Sequence, residues 1–306
     1  VLRGKQLYLV YGRGRVSQGL LMFAINNRLV NYLEMATAAT VMAQNNLSVQ
    51  NVTVVTDKGS YSKLEPKYKK IADNVFDNIL FQDTDYRAGK SNVRLFRDTS
   101  YHTEKAPWHN LSRNSAYSIS PYEETILLDA DYLVQSDRLD LLWGSEEDFR
   151  INKRAAFLGS NKNQERLIDP FSIPFYWATV IYFKKSERAE LVFDLISHIK
   201  DNYEYYQLLY AFPYNFYRND VVFGIAIHML SGYLNDNEFH TLPFTYLHSF
   251  DSDELIQVDW LHLKFLVAAE GSHQFTLRDV KDIDVHVTNK FSICRHIDRI
   301  LEVYYV

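Results

Sequence analysis

The sequence predicts an α/β protein built on an open, mostly parallel twisted sheet flanked by helices. Strand-like and helix-like stretches alternate through residues 51–81, as they do where parallel strands are joined by helical crossovers. The apolar run Thr125-Ile126-Leu127-Leu128, opened by the turn former Pro121, is short enough for a buried central strand. With 306 residues and 47% hydrophobic content the chain can bury one large core, and no repeat, low-complexity stretch or linker divides it. Residues 1–306 therefore read as a single domain with two halves, 1–145 and 146–306.

Taken in order, Gln6–Tyr11 reads as a first strand ending in Gly12-Arg13-Gly14-Arg15. Glycines at such an exit suit a loop passing close to a nucleotide, which makes Tyr11 and Gly12 candidate donor-site residues. The third glycine of a dinucleotide fingerprint is missing, so a plain turn is the alternative. Asn31–Gln44 has helical rhythm, with Tyr32, Met35, Ala36, Ala39 and Ala43 on one side and Asn31 and Glu34 spaced as a cap. Asn51–Thr56 is a strand, and Asp57 at its exit either faces a nucleobase or holds its turn. Lys63–Ala72 reads as helix and Asn74–Phe81 as strand.

Residues 83–118 are polar and carry Arg87, Lys90, Arg94, Arg97, Lys105 and Arg113, a run expected to be mostly solvated. After the central strand come Asp129 and Asp131. Side chains two apart on an extended segment point the same way, so their carboxylates are expected to converge where a strand leaves the sheet, the usual ligand edge of open α/β sheets. Such a pair can hold a hard divalent cation; a turn or helix cap is the plainer alternative. Further on, Arg154–Gly159 and Phe175–Phe183 read as strands. Glu187–Lys200 reads as a helix with the stripe Ala189, Val192, Phe193, Ile196 and Ile199. Asn219 or Asp220 is a natural cap for the helix that follows. In Asp282–Lys290 an apolar face (Ile283, Val285, Val287) alternates with a polar one (Asp284, His286, Thr288), as in a half-buried strand.

The wording Glu124-Thr-Ile-Leu-Leu-Asp-Ala-Asp-Tyr-Leu-Val134 resembles the Asp-x-Asp segment of nucleotide-sugar glycosyltransferases of the Rossmann-like GT-A fold. The resemblance extends in order to Arg113, which lies sixteen residues before Asp129, as does a donor-binding arginine in glycogenin-like enzymes. It also reaches Asp220 and the terminal pair His286 and Lys290. It implies that Asp129, Asp131 and His286 bind a metal, that Arg113 and Lys290 grip the donor diphosphate, and that Asp220 works beside the reacting carbon. An N/O ligand set of this kind suits Mn²⁺ better than Mg²⁺. In this reading residues 1–145 bind mainly the nucleotide and 146–306 complete the sugar and acceptor sites. The chain departs from the family at Trp177-Ala178-Thr179, where amide and small residues are usual, and at Val221 after Asp220. The family's sugar contacts therefore do not transfer. The spacing of His286 and Lys290 is also shorter than usual.

The expected activity is sugar transfer from a nucleoside-diphosphate donor, a UDP-sugar first, to an acceptor hydroxyl, with retention or inversion undecided. A sugar nucleotidyltransferase, which would release pyrophosphate, and a non-catalytic nucleotide-sugar binding module are the alternatives. The phrasing of 120–133 and the Tyr/Phe/Asn-rich composition are similar to phage-encoded transferases, which implies hydroxymethylated phage DNA as one acceptor. A net charge of -5 and a pI near 6.1 argue against strong non-specific DNA binding. A lone cysteine, Cys294, excludes an intrachain disulfide framework. No apolar run reaches membrane-spanning length and no signal-peptide pattern opens the chain, so a cytoplasmic protein, host-cytoplasmic if phage-encoded, is expected.

Overall fold

The computed structural model describes residues 16–83, 92–98, 102–160, 163–169, 173–213, 216–234, 241–268 and 274–305. The expected strand at 6–11, with Tyr11 and Gly12, lies outside them, as do Arg87 and Lys90. The first half carries β1 (Val16–Phe23), α1 (Tyr32–Asn46), β2 (Val52–Thr56), α2 (Lys58–Ser62), α3 (Pro66–Val75), β3 (Asn78–Phe81), β4 (Val93–Arg97) and β5 (Thr103–Pro107). Then come α4 (Ala116–Ile119), β6 (Tyr122–Leu128), β7 (Tyr132–Leu133), β8 (Phe149–Asn152), β9 (Arg154–Phe157), β10 (Asn163–Glu165) and β11 (Trp177–Lys184). The chain continues with α5 (Glu187–Asp201), α6 (Tyr203–Tyr210), α7 (Asn219–Leu230), β12 (Leu247–His248), β13 (Glu254–Asp259), β14 (His262–Ala268), β15 (Phe275–Lys281), β16 (Val285–His286) and α8 (Lys290–Tyr304).

Among the described residues the main sheet has six strands in the order β3-β2-β1-β6-β11-β8. β3, β2, β1 and β6 run parallel, and β11 is antiparallel to both neighbours. This is the α/β architecture expected from the sequence, with β6 as the central strand. Side chains of β1 alternate across the sheet: Leu20 and Met22 join a core with α1, α3 and α8, while Leu21 and Phe23 join a second core with α5 and α7. The predicted stripe of α5 is wholly buried, and Asn31 caps α1 by accepting the Glu34 N–H at 3.2 Å. α1 is buried on nearly every side, because α8 covers the face that an amphipathic helix would leave to water.

The strand beside β6 is Val16–Phe23, a stretch that polar Gln18 and Gly19 disguise in the sequence. A Cβ at Gly19 would collide with the ring of Tyr122, so only glycine lets these strands pair there. A second sheet has the order β10-β9-β12-β16-β7. The terminal segment expected as one strand over 282–290 pairs only at Val285–His286 and then enters α8. Both of its faces are covered: Asp284 is buried, accepting from the Gln135 and Ser136 N–H groups and the Tyr132 hydroxyl.

Candidate active site

β6 leaves the main sheet at Leu128 and β7 begins the second sheet at Tyr132, so Asp129–Asp131 is the crossing between two sheets. The crossing is a tight turn, closed by Tyr132 N–H donating to the Asp129 carbonyl at 3.1 Å, and not the extended segment expected from the sequence. The two carboxylates nevertheless converge. β7 pairs with β16, opposing Tyr132 and His286, and the Val287 N–H donates to the Asp131 carbonyl at 3.0 Å. Backbone pairing thus brings His286 beside an acid pair more than 150 residues earlier. One donor atom from each of Asp129, Asp131 and His286 lies within 4.8 Å of the others. Nε2 of His286 is 3.3 Å from Asp131 Oδ2 and 3.7 Å from Asp129 Oδ2.

Each acid also has a cation of the chain. Lys290, the first residue of α8, contacts Asp131, and the guanidinium of Arg113 contacts Asp129 while donating to the Ala178 carbonyl. Burial alone would oppose ionisation of Asp131, but Lys290 and His286 hold its carboxyl well below the usual carboxylate range. On its other side His286 Nδ1 lies 2.9 Å from Nδ1 of His248 and 3.2 Å from Thr179 Oγ1. Burial, with the neighbouring His286 and Lys290, drives the His248 pKa far down, so that ring is neutral. A divalent cation at the acids would take the Nε2 lone pair of His286, with the Nδ1 proton then shared with these partners. Two carboxylates and an imidazole so arranged fit a divalent cation.

Ala178 is gripped from both sides: its carbonyl accepts from Arg113 and its N–H donates to Asp220 Oδ1 at 3.0 Å. Asp220 is therefore not the cap of α7. The N-cap position is Arg218, and its guanidinium reaches Asp220 Oδ2 at 3.1 Å. Asp129, Asp131, His286, Lys290, Arg113 and Asp220 all line one cavity of about 460 Å³. Asp57 lies apart from it. It caps α2 by accepting the Ser60 N–H at 2.5 Å.

Sequence reasoning did not single out Arg94, Trp108, Asn110, His248 or Arg218, all of which line the cavity. Arg94 sits in the basic run expected to be solvated, yet its guanidinium stacks on Trp108, 3.3 Å from the ring centroid. Asn110 behaves like a peptide group toward the loop after β1: it accepts the Ile25 N–H at 2.8 Å and donates to the Ile25 carbonyl at 3.2 Å. Arg94 was legible only as one of several cations. His248 carried no local signal.

No protein-family model and no curated protein sequence matches the chain. Among solved structures it is similar to mouse xyloside xylosyltransferase 1 (14% identity, TM-score 0.42), over 74% of this chain and 85% of that one. It is also similar to the glycosyltransferase GlyE of Streptococcus pneumoniae (11%, TM-score 0.38), over 74% of this chain but only 45% of that one. A third is the galactosyltransferase LgtC (15%, TM-score 0.35), over 61% of this chain and 65% of that one. Among the described residues no helix is long and apolar enough to cross a membrane.

Proposed function

We propose that this protein is a metal-dependent glycosyltransferase of the GT-A type, moving a sugar from a nucleoside-diphosphate donor to an acceptor hydroxyl. The observation that carries the reading is the Asp129/Asp131/His286 group at the exit of the central strand, inside a cavity large enough for a small ligand. When bound, a divalent cation held by these three residues supplies Lewis-acid stabilisation to the departing diphosphate. Mn²⁺ is the first cation to test, because imidazole beside two carboxylates suits it.

The remaining work belongs to the chain. Lys290 adds a positive charge beside Asp131, where leaving-group charge would develop. Arg113 fixes Asp129 and the Ala178 carbonyl together, so a ligand carboxylate need not reorganise during the reaction. Asp220, oriented by the Ala178 N–H and Arg218, offers a carboxylate to a sugar hydroxyl. A hydroxymethylated base in DNA stays an acceptor to test, and it would have to enter the cavity extruded from its stack.

A panel of uridine, guanosine, adenosine and cytidine diphosphate sugars with Mn²⁺ tests this. The expected result is slow release of one nucleoside diphosphate without acceptor, abolished by chelation and by Asp131→Ala. Release of pyrophosphate, or no binding of any nucleoside diphosphate at millimolar concentration, would overturn it.

A further inference from the structure

Arg94 is a cavity cation that the proposed reaction does not use. It rises from β4 into the cavity, stacked on Trp108 with Phe216 further off. Its one protein acceptor is the Tyr217 carbonyl at 3.3 Å, its Nε is buried with no hydrogen-bond partner, and no carboxylate pairs with it among the described residues. The two acids nearest this wall are already engaged: Asp129 by Arg113, and Asp220 by Arg218 and the Ala178 N–H. Burial, with Arg218 and Arg113 close by, lowers the Arg94 pKa to about 9. Holding an incompletely paired guanidinium beside other cations is costly unless an anion completes the site.

The place of this cation in the cavity matters. Contacts run from Lys290 through Asp131 and His286 to Asp129, then through Arg113 and Ala178 to Asp220 and Arg218. Arg94 joins that wall through the Tyr217 carbonyl, next to the Arg218–Asp220 pair. Since the proposed function sets Asp220 against the sugar, Arg94 and Arg218 stand on the sugar side in that reading.

Resting on the function proposed above, we infer that Arg94, with Arg218 beside it, forms a second anion subsite for a carboxylate or phosphate on the transferred sugar or on the acceptor. Arginine is suited to this, since its fork matches either anion and its flat face keeps the Trp108 stack.

Calorimetry on the full chain with Mn²⁺ tests the inference in two arms, after the panel above has fixed the nucleotide. One arm compares a nucleoside-diphosphate hexose with the corresponding uronate. The other, with the nucleoside diphosphate saturating, compares glucose with glucose 6-phosphate. In one arm the anionic member should bind about tenfold tighter or more, the fold-change expected of a charge-assisted hydrogen bond. That preference should fall to near parity in Arg94→Gln and survive in part in Arg94→Lys. Because a ratio is read, a general loss of binding cancels, and Arg218→Gln serves if Arg94→Gln melts early. Parity in wild-type protein in both arms, or a preference untouched by Arg94→Gln and Arg218→Gln, would overturn the subsite alone. Failure of every nucleoside diphosphate to bind would overturn the glycosyltransferase reading and the subsite together.

Discussion

At the Asp129–Asp131 end of the cavity each carboxylate faces a cation of the chain, whereas at the Arg94 end a guanidinium rests on Trp108 and donates to a single carbonyl. The first end is fixed by backbone ladders: β6 in one sheet, β7 and β16 in the other, with His286 set opposite Tyr132. The second is carried by the β4–β5 hairpin and the segment before α7. Where the chain balances its own charges it can hold a reactive geometry before any ligand arrives. Where it leaves a cation incompletely paired, the ligand is expected to bring the missing charge.

The largest expected effect breaks the first end. Asp131→Ala removes one of the three proposed metal ligands and leaves Lys290 beside the cavity without its acid partner, so metal-dependent donor hydrolysis should fall about 1,000-fold or more. Asp131→Asn, close in shape, should lose nearly as much with less change in stability. Mn²⁺ titration alongside the rate measurement checks that the loss follows the metal. Equal Mn²⁺ affinity in both variants and wild type would show that the acids do not form a metal site.

Arg113→Met comes next and reads as stability. Arg113 is 4% exposed and bridges Asp129 to the Ala178 carbonyl, so removing it strands a partly buried carboxylate and an acceptor. A cost of about 3 kcal/mol in denaturant unfolding is expected, the low end for breaking a buried pair because Asp129 keeps some access to water. A change below about 1 kcal/mol would mean that the two ends are not joined through Ala178.

His248→Ala is smaller and sharper. It leaves every ligand in place and removes the Nδ1 partner of His286, so Mn²⁺ affinity should drop about 10- to 100-fold. His248→Asn, which keeps an acceptor, should recover part of it. Unchanged affinity in the alanine variant would leave Thr179 as sufficient to orient His286.

These two ends also differ in how far they could be read from the sequence. Asp129 and Asp131 follow a local apolar run, and local signals survive folding; the α5 stripe and the Asn31 cap are legible for the same reason. Their convergence with His286 depends on β7 and β16, strands of two residues each: the alternation around His286 is visible in the sequence, but the strand it pairs with is not. Arg94 is harder still, because its burial is created by Trp108 across the hairpin and by Tyr217 over 120 residues away. Asp57, at a strand exit, shows how a carboxylate read as either ligand group or turn former can cap the next helix.

One residue links the ends, and it carries the smallest expected effect. Asn289 is buried immediately before Lys290; its Oδ1 accepts the Ser292 N–H at 3.0 Å to cap α8, and its Nδ2 donates to the Asp98 carbonyl at 2.8 Å, tethering the hairpin that carries Arg94. Asn289→Ala removes both and should cost about 1 kcal/mol, a typical cap loss. Asn289→Ser keeps a capping oxygen but is too short to reach Asp98, so its stability should recover while the hairpin stays loose. If hairpin position governs the second anion subsite, the serine variant loses part of its preference for the anionic ligand, about two- to threefold, with Mn²⁺ affinity little changed. If both quantities fall together in the serine variant, the tether acts on Lys290 instead, and the two ends work as one unit.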